Sequence, residues 1–97
     1  MANSLNTNPI YIDSTTGGTK AGQLHIKAIV WVSDEGSNLD IAADDDLLIN
    51  DSHGNRIIGK RAEFAGDDLY FDPPGGLAVN GITVATMDGG NCYIYLY

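Results

Sequence analysis

The sequence predicts an all-β fold, a small antiparallel β-sandwich or barrel of jelly-roll-like type with about seven or eight short strands. Short apolar runs alternate with turns rich in Gly, Asn, Asp and Pro along the chain. No segment of ten or more residues shows the 3.6-residue period of an amphipathic helix. The length, 97 residues, suits one domain, and no internal repeat is visible.

The N-terminal part of the chain predicts a flexible arm followed by the folded domain. Residues 1–8 are polar, rich in Asn and without an apolar period, so we expect a flexible N-terminal arm. Residues 9–97 form the single β-sandwich domain. It begins with the β-prone stretch Pro9–Asp13, where proline is tolerated at the first position of a strand. Ser14–Gly22 reads as a loop of Ser, Thr and Gly.

The strongest strand pattern covers Gln23–Val32, where every second residue on one face is apolar. The opposite face starts with polar residues and becomes apolar, so we expect its second half to be covered as well. The predicted core face consists of Leu24, Ile26, Ala28, Val30 and Val32, and the opposite face carries His25, Lys27, Ile29 and Trp31.

The middle of the chain alternates short apolar runs and turns, which is the pattern of a hairpin. The predicted order is a turn at Asp34–Asn38, a short strand at Leu39–Ala42, a strand at Leu47–Asn50, a turn at Asp51–Asn55 and a strand at Arg56–Gly59. Lys60–Ala65 is compatible with either a continued strand or a single helical turn.

The C-terminal third predicts four further short strands. The first, Leu69–Phe71, ends at the Pro- and Gly-rich Asp72–Gly76. The others are Leu77–Val79, Ile82–Met87 and Cys92–Tyr97, with Asn80 and Gly81 in a type I′ turn between the first two. Ile94 and Leu96 are expected to join Leu24, Ile26 and Val30 in one core.

The charge of the chain argues against two classes of partner. Thirteen Asp and Glu against five Lys and Arg give a net charge of −8. Such a surface repels nucleic acid and anionic membrane, so we expect neither as a partner. The N-terminus lacks the basic and apolar regions of a secretory signal, and no apolar run reaches the length of a membrane span. We therefore expect a protein made and assembled in the cytoplasm.

No catalytic or cofactor-binding residues are predicted. His25 falls in a strand and His53 in a turn, and neither accompanies a nucleophile motif such as G-x-S-x-G. The Gly pairs are turn residues, because none lies between a strand and a helix with a following Lys. The sequence accordingly predicts a protein that is not an enzyme.

The acidic triplet Asp44–Asp46 raises the question of a cation site. With Asp40 and Asp51 nearby it could supply oxygen ligands for Ca²⁺, but its spacing does not match an EF-hand loop. We therefore expect a solvated acidic loop and no bound metal. Cys92, the only cysteine, cannot form an internal disulfide and is expected to be a buried, unreactive thiol.

An aromatic stripe marks the end of the chain. Tyr93, Tyr95 and Tyr97 alternate with apolar residues and share one face of the last predicted strand. Tyr suits interfaces because it combines a large contact area with a polar tip. The stripe fits either an exposed surface that binds a sugar or protein, or a second face covered by another layer.

Several segments together resemble a family of small proteins encoded beside the capsid genes of tailed bacteriophages, especially those of marine bacteria and cyanobacteria. The resemblance covers nearly the whole chain. It is carried by the opening 1–13, the strand Ile26–Val32, the hairpin Asn50–Ile58 and the ending Val79–Leu96. It implies a virion structural protein, either a head decoration (cement) protein or a related small component of the particle.

That resemblance implies a location and a set of partners. The protein would be assembled in the host cytoplasm and bind the major capsid protein on the capsid surface, with a homotrimer among the assemblies implied. Leu5, Pro9 and Tyr11 would help to hold the arm on a capsid subunit, and Tyr93, Tyr95 and Tyr97 are further interface candidates. The alternative is a carbohydrate- or receptor-binding module of a phage fibre or tail.

Overall fold

The chain folds as one seven-stranded sheet in which every pairing is antiparallel, and the predicted all-β class is confirmed. The computed structural model describes residues 3–12, 18–33 and 41–97. The strands are β1 (Ile10–Ile12), β2 (Thr19–Val32), β3 (Asp46–Asn50), β4 (Arg56–Arg61), β5 (Leu69–Phe71), β6 (Leu77–Met87) and β7 (Asn91–Leu96).

The long strand β2 organises the sheet, whose order is β1-β7-β2-β6-β3-β4, with β5 also paired to β2. β5 and β6 lie in line along the same side of β2. Trp31 pairs with Leu69 at one end of this line, and Thr19 pairs with Thr83 at the other. Residues 72–76 leave the sheet between them. The other side of β2 pairs with β7.

Bulges curve the sheet. β2 carries one between Lys20 and Gln23 and another between Ile26 and Ala28, each with an extra residue relative to its partner. β6 leaves β2 and continues along β3 from Thr83 onward. Bulges bend strands and increase their twist. The sheet therefore curves around a single core rather than lying flat.

One cluster of buried residues forms this core, and it draws on β1, β2, β3, β6 and β7. The Trp31 indole N–H donates to the carbonyl of Gly89 at 2.8 Å, so the largest buried side chain has its polar atom satisfied. The fully buried side chains are Ile10, Ile12, Ile26, Ile29, Trp31, Ile41, Leu47, Ile49, Ile82, Cys92 and Ile94.

The predicted core face of β2 is correct in its first half and wrong in its second. Ile26 is buried and Leu24 packs against the core, as expected. Beyond the bulge at Lys27, however, Ile29 and Trp31 are buried while Val30 is only half-buried. The extra residue moves every following side chain to the opposite face. Val30 therefore belongs to the outer face.

Two turn predictions are also wrong. Asn80 and Gly81 do not form a hairpin turn, because β6 runs continuously through them. Gly81 adopts a φ of +80° opposite the first β2 bulge. Glycine tolerates positive φ in a bulged strand as well as in a turn. Residues 19–22 of the predicted loop belong to β2, whose first residue is Thr19.

Other predicted elements fall partly outside the described residues. The turn at residues 34–38 and the loop residues 14–17 lie there, as do Leu39 and Asp40 of the predicted strand. Ile41 and Ala42 are not in a strand. Lys60 and Arg61 continue β4, whereas residues 62–65 are neither strand nor helix, so the ambiguous stretch is a strand only at its first two residues.

The N-terminal segment lies against the sheet. Ser4 and Tyr11 exchange two backbone hydrogen bonds of 2.8 and 2.9 Å, which extend pairing beyond β1. The Asn8 side chain donates to the Leu96 carbonyl and accepts from the Leu96 N–H, at 3.0 and 2.9 Å. Leu5 packs against the core. Residues 3–8 thus lie against the domain in this structure, and the flexibility of the arm 1–8 stays a prediction; residues 1–2 lie outside the described range.

Candidate functional site: the outer aromatic face

A row of aromatic side chains crosses the outside of the sheet. Successive register partners along β1, β7, β2 and β5 are Tyr11, Tyr93, Val30 and Tyr70. Tyr95, the partner of Ala28, lies two residues after Tyr93 on β7 and therefore on the same side of the sheet. We call Tyr11, Val30, Tyr70, Tyr93 and Tyr95 the outer aromatic face.

The alternation of strand residues explains why these side chains point outward. The neighbouring inner row consists of Ile10, Ile94, Ile29 and Phe71, which are buried or packed against the core. Successive residues of a strand point to opposite faces. Once the inner row fills the core, the residues next to it must face outward.

The outer aromatic face offers both apolar area and polar tips. The Tyr11 and Tyr93 rings lie 5.2 Å apart between centroids and are tilted by 51°. Tyr70 is 68% exposed and Tyr95 39% exposed. Aromatic rings in such contact hold one another in place, and the exposed side chains of Tyr70 and Tyr95 offer aromatic area and hydroxyl groups to a partner. The arrangement suits contact with another surface and contains no pair of groups arranged for acid–base chemistry.

Tyr97 extends this face at one end. Its ring lies 4.5 Å from the His25 ring, and its N–H donates to the His25 carbonyl at 3.1 Å. The His25 Nε2 in turn lies 3.1 Å from the Gly75 carbonyl oxygen. The ring of Tyr97 remains 63% exposed. The C-terminal aromatic side chain is therefore positioned by the loop between β5 and β6.

The six residues predicted for an interface separate into two groups. Tyr11, Tyr93 and Tyr95 come together on the outer aromatic face, with Tyr97 at its end. Leu5 packs on the core and Pro9 is partly buried, so neither projects from the domain. The Tyr stripe is on the outside of the sheet rather than between two layers.

Sequence reasoning missed Val30 and Tyr70. The alternation of Gln23–Val32 predicts Val30 in the core, because the sequence carries no signal for the bulge at Lys27. Tyr70 lies between two inward-facing residues, Leu69 and Phe71, and this alternation was a usable signal for an outward side chain. What the sequence could not supply was the pairing of β5 with β2.

A shallow groove lies elsewhere, along the β2–β6 pair. It has a volume of about 460 Å³ and is open to solvent. Its lining combines small apolar side chains with amides and one imidazole, and includes no carboxylate, thiol or hydroxyl. The lining residues are Gln23, Leu24, His25, Ala78, Val79 and Asn80.

Several acidic side chains of the described residues accept hydrogen bonds from within the chain. Asp46 accepts from Arg61, with the Nε–Oδ1 distance at 2.9 Å, and these hydrogen bonds hold the pKa of Asp46 below its usual value. Asp45 accepts from the Ala42 N–H, and Asp51 caps its own turn through the Asn55 and His53 N–H groups. Hydrogen bonding likewise lowers the pKa of Asp51.

Neither a metal cluster nor an activated thiol is found in the described part of the chain. Across residues 3–12, 18–33 and 41–97, no three His, Cys, Asp or Glu side chains are grouped so as to hold a metal ion. Asp40 lies outside that range. Cys92 is buried, and burial raises the pKa of its thiol to about 12. A thiol held in its protonated form is a poor nucleophile.

No helix that could cross a membrane occurs among the residues described above. Comparison with protein-family models, with curated proteins and with solved structures gave no match to this chain.

Proposed function

We propose that this protein is a non-enzymatic adhesion domain of a virus particle, a decoration protein that binds the major capsid protein on the outside of a bacteriophage head. The observation that carries the proposal is the outer aromatic face. It places four tyrosines and a valine on one exposed side of the sheet, which is where a protein partner can reach them.

The composition of this face favours a protein surface as its partner. Tyr is enriched at interface centres because its ring buries a large area while its hydroxyl keeps a hydrogen bond. The face contains no ionised side chain, so binding there requires no desolvation of a charge. The acidic remainder of the domain, with a net charge of −8 for the whole chain, favours a partner with basic residues around the contact.

The resemblance to phage proteins supports the choice of a phage head as the particle that this domain binds. A decoration protein acts by contact alone, which agrees with a fold whose polar clusters are engaged in turns and ion pairs. Tyr97 lies at the end of the face and would enlarge the contact.

The test is co-sedimentation with heads of the phage that encodes the chain, stripped of this protein. The double variant Tyr93→Ser, Tyr95→Ser should lose most of the binding, because it removes the centre of the face. The matched control is Phe64→Ser, which removes an aromatic side chain that is 59% exposed but lies outside the face. Equal binding by wild type and the double variant would contradict the proposal.

A second candidate is a carbohydrate- or receptor-binding module. The observation in its favour is the exposure of Tyr70 and Tyr95, because exposed aromatic rings can stack on sugar rings. A glycan array separates the two candidates. Binding to one class of glycan that is abolished by Tyr70→Ser, without co-sedimentation on heads, would support the second candidate over the first.

A further inference from the structure

We propose that copies of this chain assemble head to tail, with β5 of one copy added antiparallel to the open edge of β4 in the next. The partner is thus a second copy of the chain. This inference concerns two edges of the sheet and does not depend on which particle the outer aromatic face binds.

Two strand edges are open within the described residues. β4 is the last strand in the sheet order and pairs with β3 alone, and β5 pairs with β2 alone. The edge at β1 differs, since Ser4 already pairs with Tyr11 there. An open edge presents backbone N–H and C=O groups to any strand that can approach it.

The two open edges carry opposite charges. Arg56, Lys60 and Arg61 supply three of the five cationic residues of the chain, and all three lie on β4. β5 is flanked by three carboxylates, those of Asp67, Asp68 and Asp72. Within one chain, Lys60 and Asp67 already form an ion pair of 3.3 Å.

This distribution favours pairing between unlike edges. Two β4 edges side by side would oppose cations, and two β5 edges would oppose carboxylates, each arrangement being destabilising for directly facing strands. Charges on edge strands commonly prevent such self-pairing. A β4 edge facing a β5 edge brings opposite charges together instead, so the only favourable combination is heterologous.

The faces of the two strands fix a register. On β4, Ile58 faces inward because its partner is buried Ile49, and Gly59 and Arg61 face outward with their partners Leu48 and Asp46. On β5, Leu69 and Phe71 face inward, and Tyr70 faces outward.

An antiparallel register that keeps both faces continuous joins three complementary pairs: Arg61 with Asp68, Gly59 with Tyr70, and Ile58 with Phe71. The Tyr70 ring, 68% exposed in the single chain, would cover the strand glycine, a pairing that stabilises sheets. Arg61 donates to Asp46 through Nε and Nη2, and its guanidinium has five N–H donors, so it can also donate a hydrogen bond to the Asp68 carboxylate.

When β5 of one copy pairs with β4 of the next, the first copy still has a free β4 edge and the second still has a free β5 edge. Heterologous contacts of this type continue until the assembly closes as a ring or extends as a filament. Tyr70 lies at the edge of the outer aromatic face, on the strand β5 that would pair with the next copy. The outer surface of the sheet would therefore continue from one copy to the next.

Sedimentation velocity over a range of protein concentrations tests the proposal through charge reversal. Wild type should form assemblies larger than a dimer as concentration rises, and Arg61→Asp or Asp68→Arg should each remain monomeric. An equimolar mixture of these two variants should assemble again, since every contact between unlike variants pairs an acid with a base. Lys27→Asp, an exposed reversal away from both edges, is the control and should behave as wild type.

Cross-linking tests the register itself. Gly59→Cys in one preparation and Tyr70→Cys in another should form a disulfide-linked dimer only when mixed and oxidised, while buried Cys92 stays unreactive. At Gly59 an added Cβ meets the end of the flexible Arg56 side chain, so the variant should fold. Monomeric wild type at every concentration, or no recovery on mixing the charge variants, would overturn the proposal. Equal cross-linking in the unmixed preparations would also overturn it.

Discussion

Ile29 and Val30 are adjacent in the chain but serve different surfaces. Ile29 is fully buried in the core, whereas Val30 lies on the outer aromatic face between Tyr93 and Tyr70. The division follows from the extra residue at Lys27, which resets the alternation of β2. A single bulge thus decides which side chains stabilise the fold and which can bind a partner.

The two residues should differ clearly when each is truncated. Ile29→Ala removes buried methyl groups and leaves a cavity, and we expect it to lower the free energy of unfolding by about 2–5 kcal/mol. Val30→Ala should cost less than about 1 kcal/mol, because its side chain is half-buried outside the core. Urea denaturation of both variants measures the difference. A larger loss from Val30→Ala would show that the outer and inner faces are exchanged.

The ion pair between Asp46 and Arg61 makes a pH-dependent contribution to stability. Hydrogen bonds from Arg61 lower the pKa of Asp46 from 3.8 in the folded state. The contribution is therefore present above the unfolded-state pKa and is lost as the pH falls through the folded-state pKa. We expect Arg61→Gln to raise the pKa of Asp46, as followed by NMR of the carboxyl carbon.

The same variant should be less stable than wild type at about pH 6, and the difference should shrink towards about pH 2. Lys27→Gln removes a cation elsewhere and serves as the control. An unchanged pKa of Asp46 in Arg61→Gln would show that the pair does not form in solution.

At the scale of elements, the loop of residues 72–76 links the sheet to the C-terminal aromatic side chain. It leaves the sheet between β5 and β6, which otherwise lie in line along β2. Gly75 and Gly76 both have positive φ, of 75° and 78°. A Cβ at Gly76 would overlap the Tyr97 ring and approach the Ile26 carbonyl oxygen to 2.7 Å, whereas one at Gly75 would meet nothing within 4 Å.

These neighbours form a matched pair of variants. Gly75→Ala should cost about 1 kcal/mol for the unfavourable φ alone. Gly76→Ala should cost a further 1–3 kcal/mol or so, because the Tyr97 ring must move or the backbone must shift. Urea denaturation gives the two energies, and NMR shifts of the Tyr97 ring report its displacement. Equal losses would mean that the loop does not hold Tyr97.

The N-terminal segment is a second element whose role depends on a few hydrogen bonds. Asn8 bonds both the N–H and the C=O of Leu96, as a neighbouring strand would. Asn8→Ala should therefore lower the free energy of unfolding by about 1–2 kcal/mol. Asn6→Ala is the control, since it removes one exposed bond from Lys20 and should cost little. Unchanged stability in Asn8→Ala would show that these two hydrogen bonds do not hold the segment on the domain.

The elements that sequence predicts best are those with local signals. Leu69–Phe71 is found with its predicted bounds, because the double proline ends it, and the hairpin around Asp51–Asn55 follows from its turn residues. The predicted turn at Asn80-Gly81 is wrong because a glycine with positive φ suits a bulged strand as well as a turn. Bulges and partner strands are set by packing of distant residues, so the sequence leaves them undetermined.

Across the whole molecule, the core, the outer aromatic face and the charged strand edges occupy different places. One curved sheet encloses the core, its outer side carries the aromatic residues, and its two open edges carry opposite charges. The three C-terminal tyrosines of the candidate site could be found from the sequence by their alternation. Their grouping with Tyr11 and Tyr70 could not, because it depends on which strands pair.

The central claim is that the outer aromatic face is the surface by which this domain attaches to its particle. Hydroxyl-radical footprinting measures it directly when the protein bound to phage heads is compared with free protein at a concentration low enough to keep it monomeric. We expect bound Tyr70 and Tyr95, both exposed in the free domain, to be oxidised several-fold more slowly. Exposed Phe64 and His53, which lie outside the face, should keep their rates. Protection of Phe64 and His53 with unchanged oxidation of Tyr70 and Tyr95 would contradict the claim.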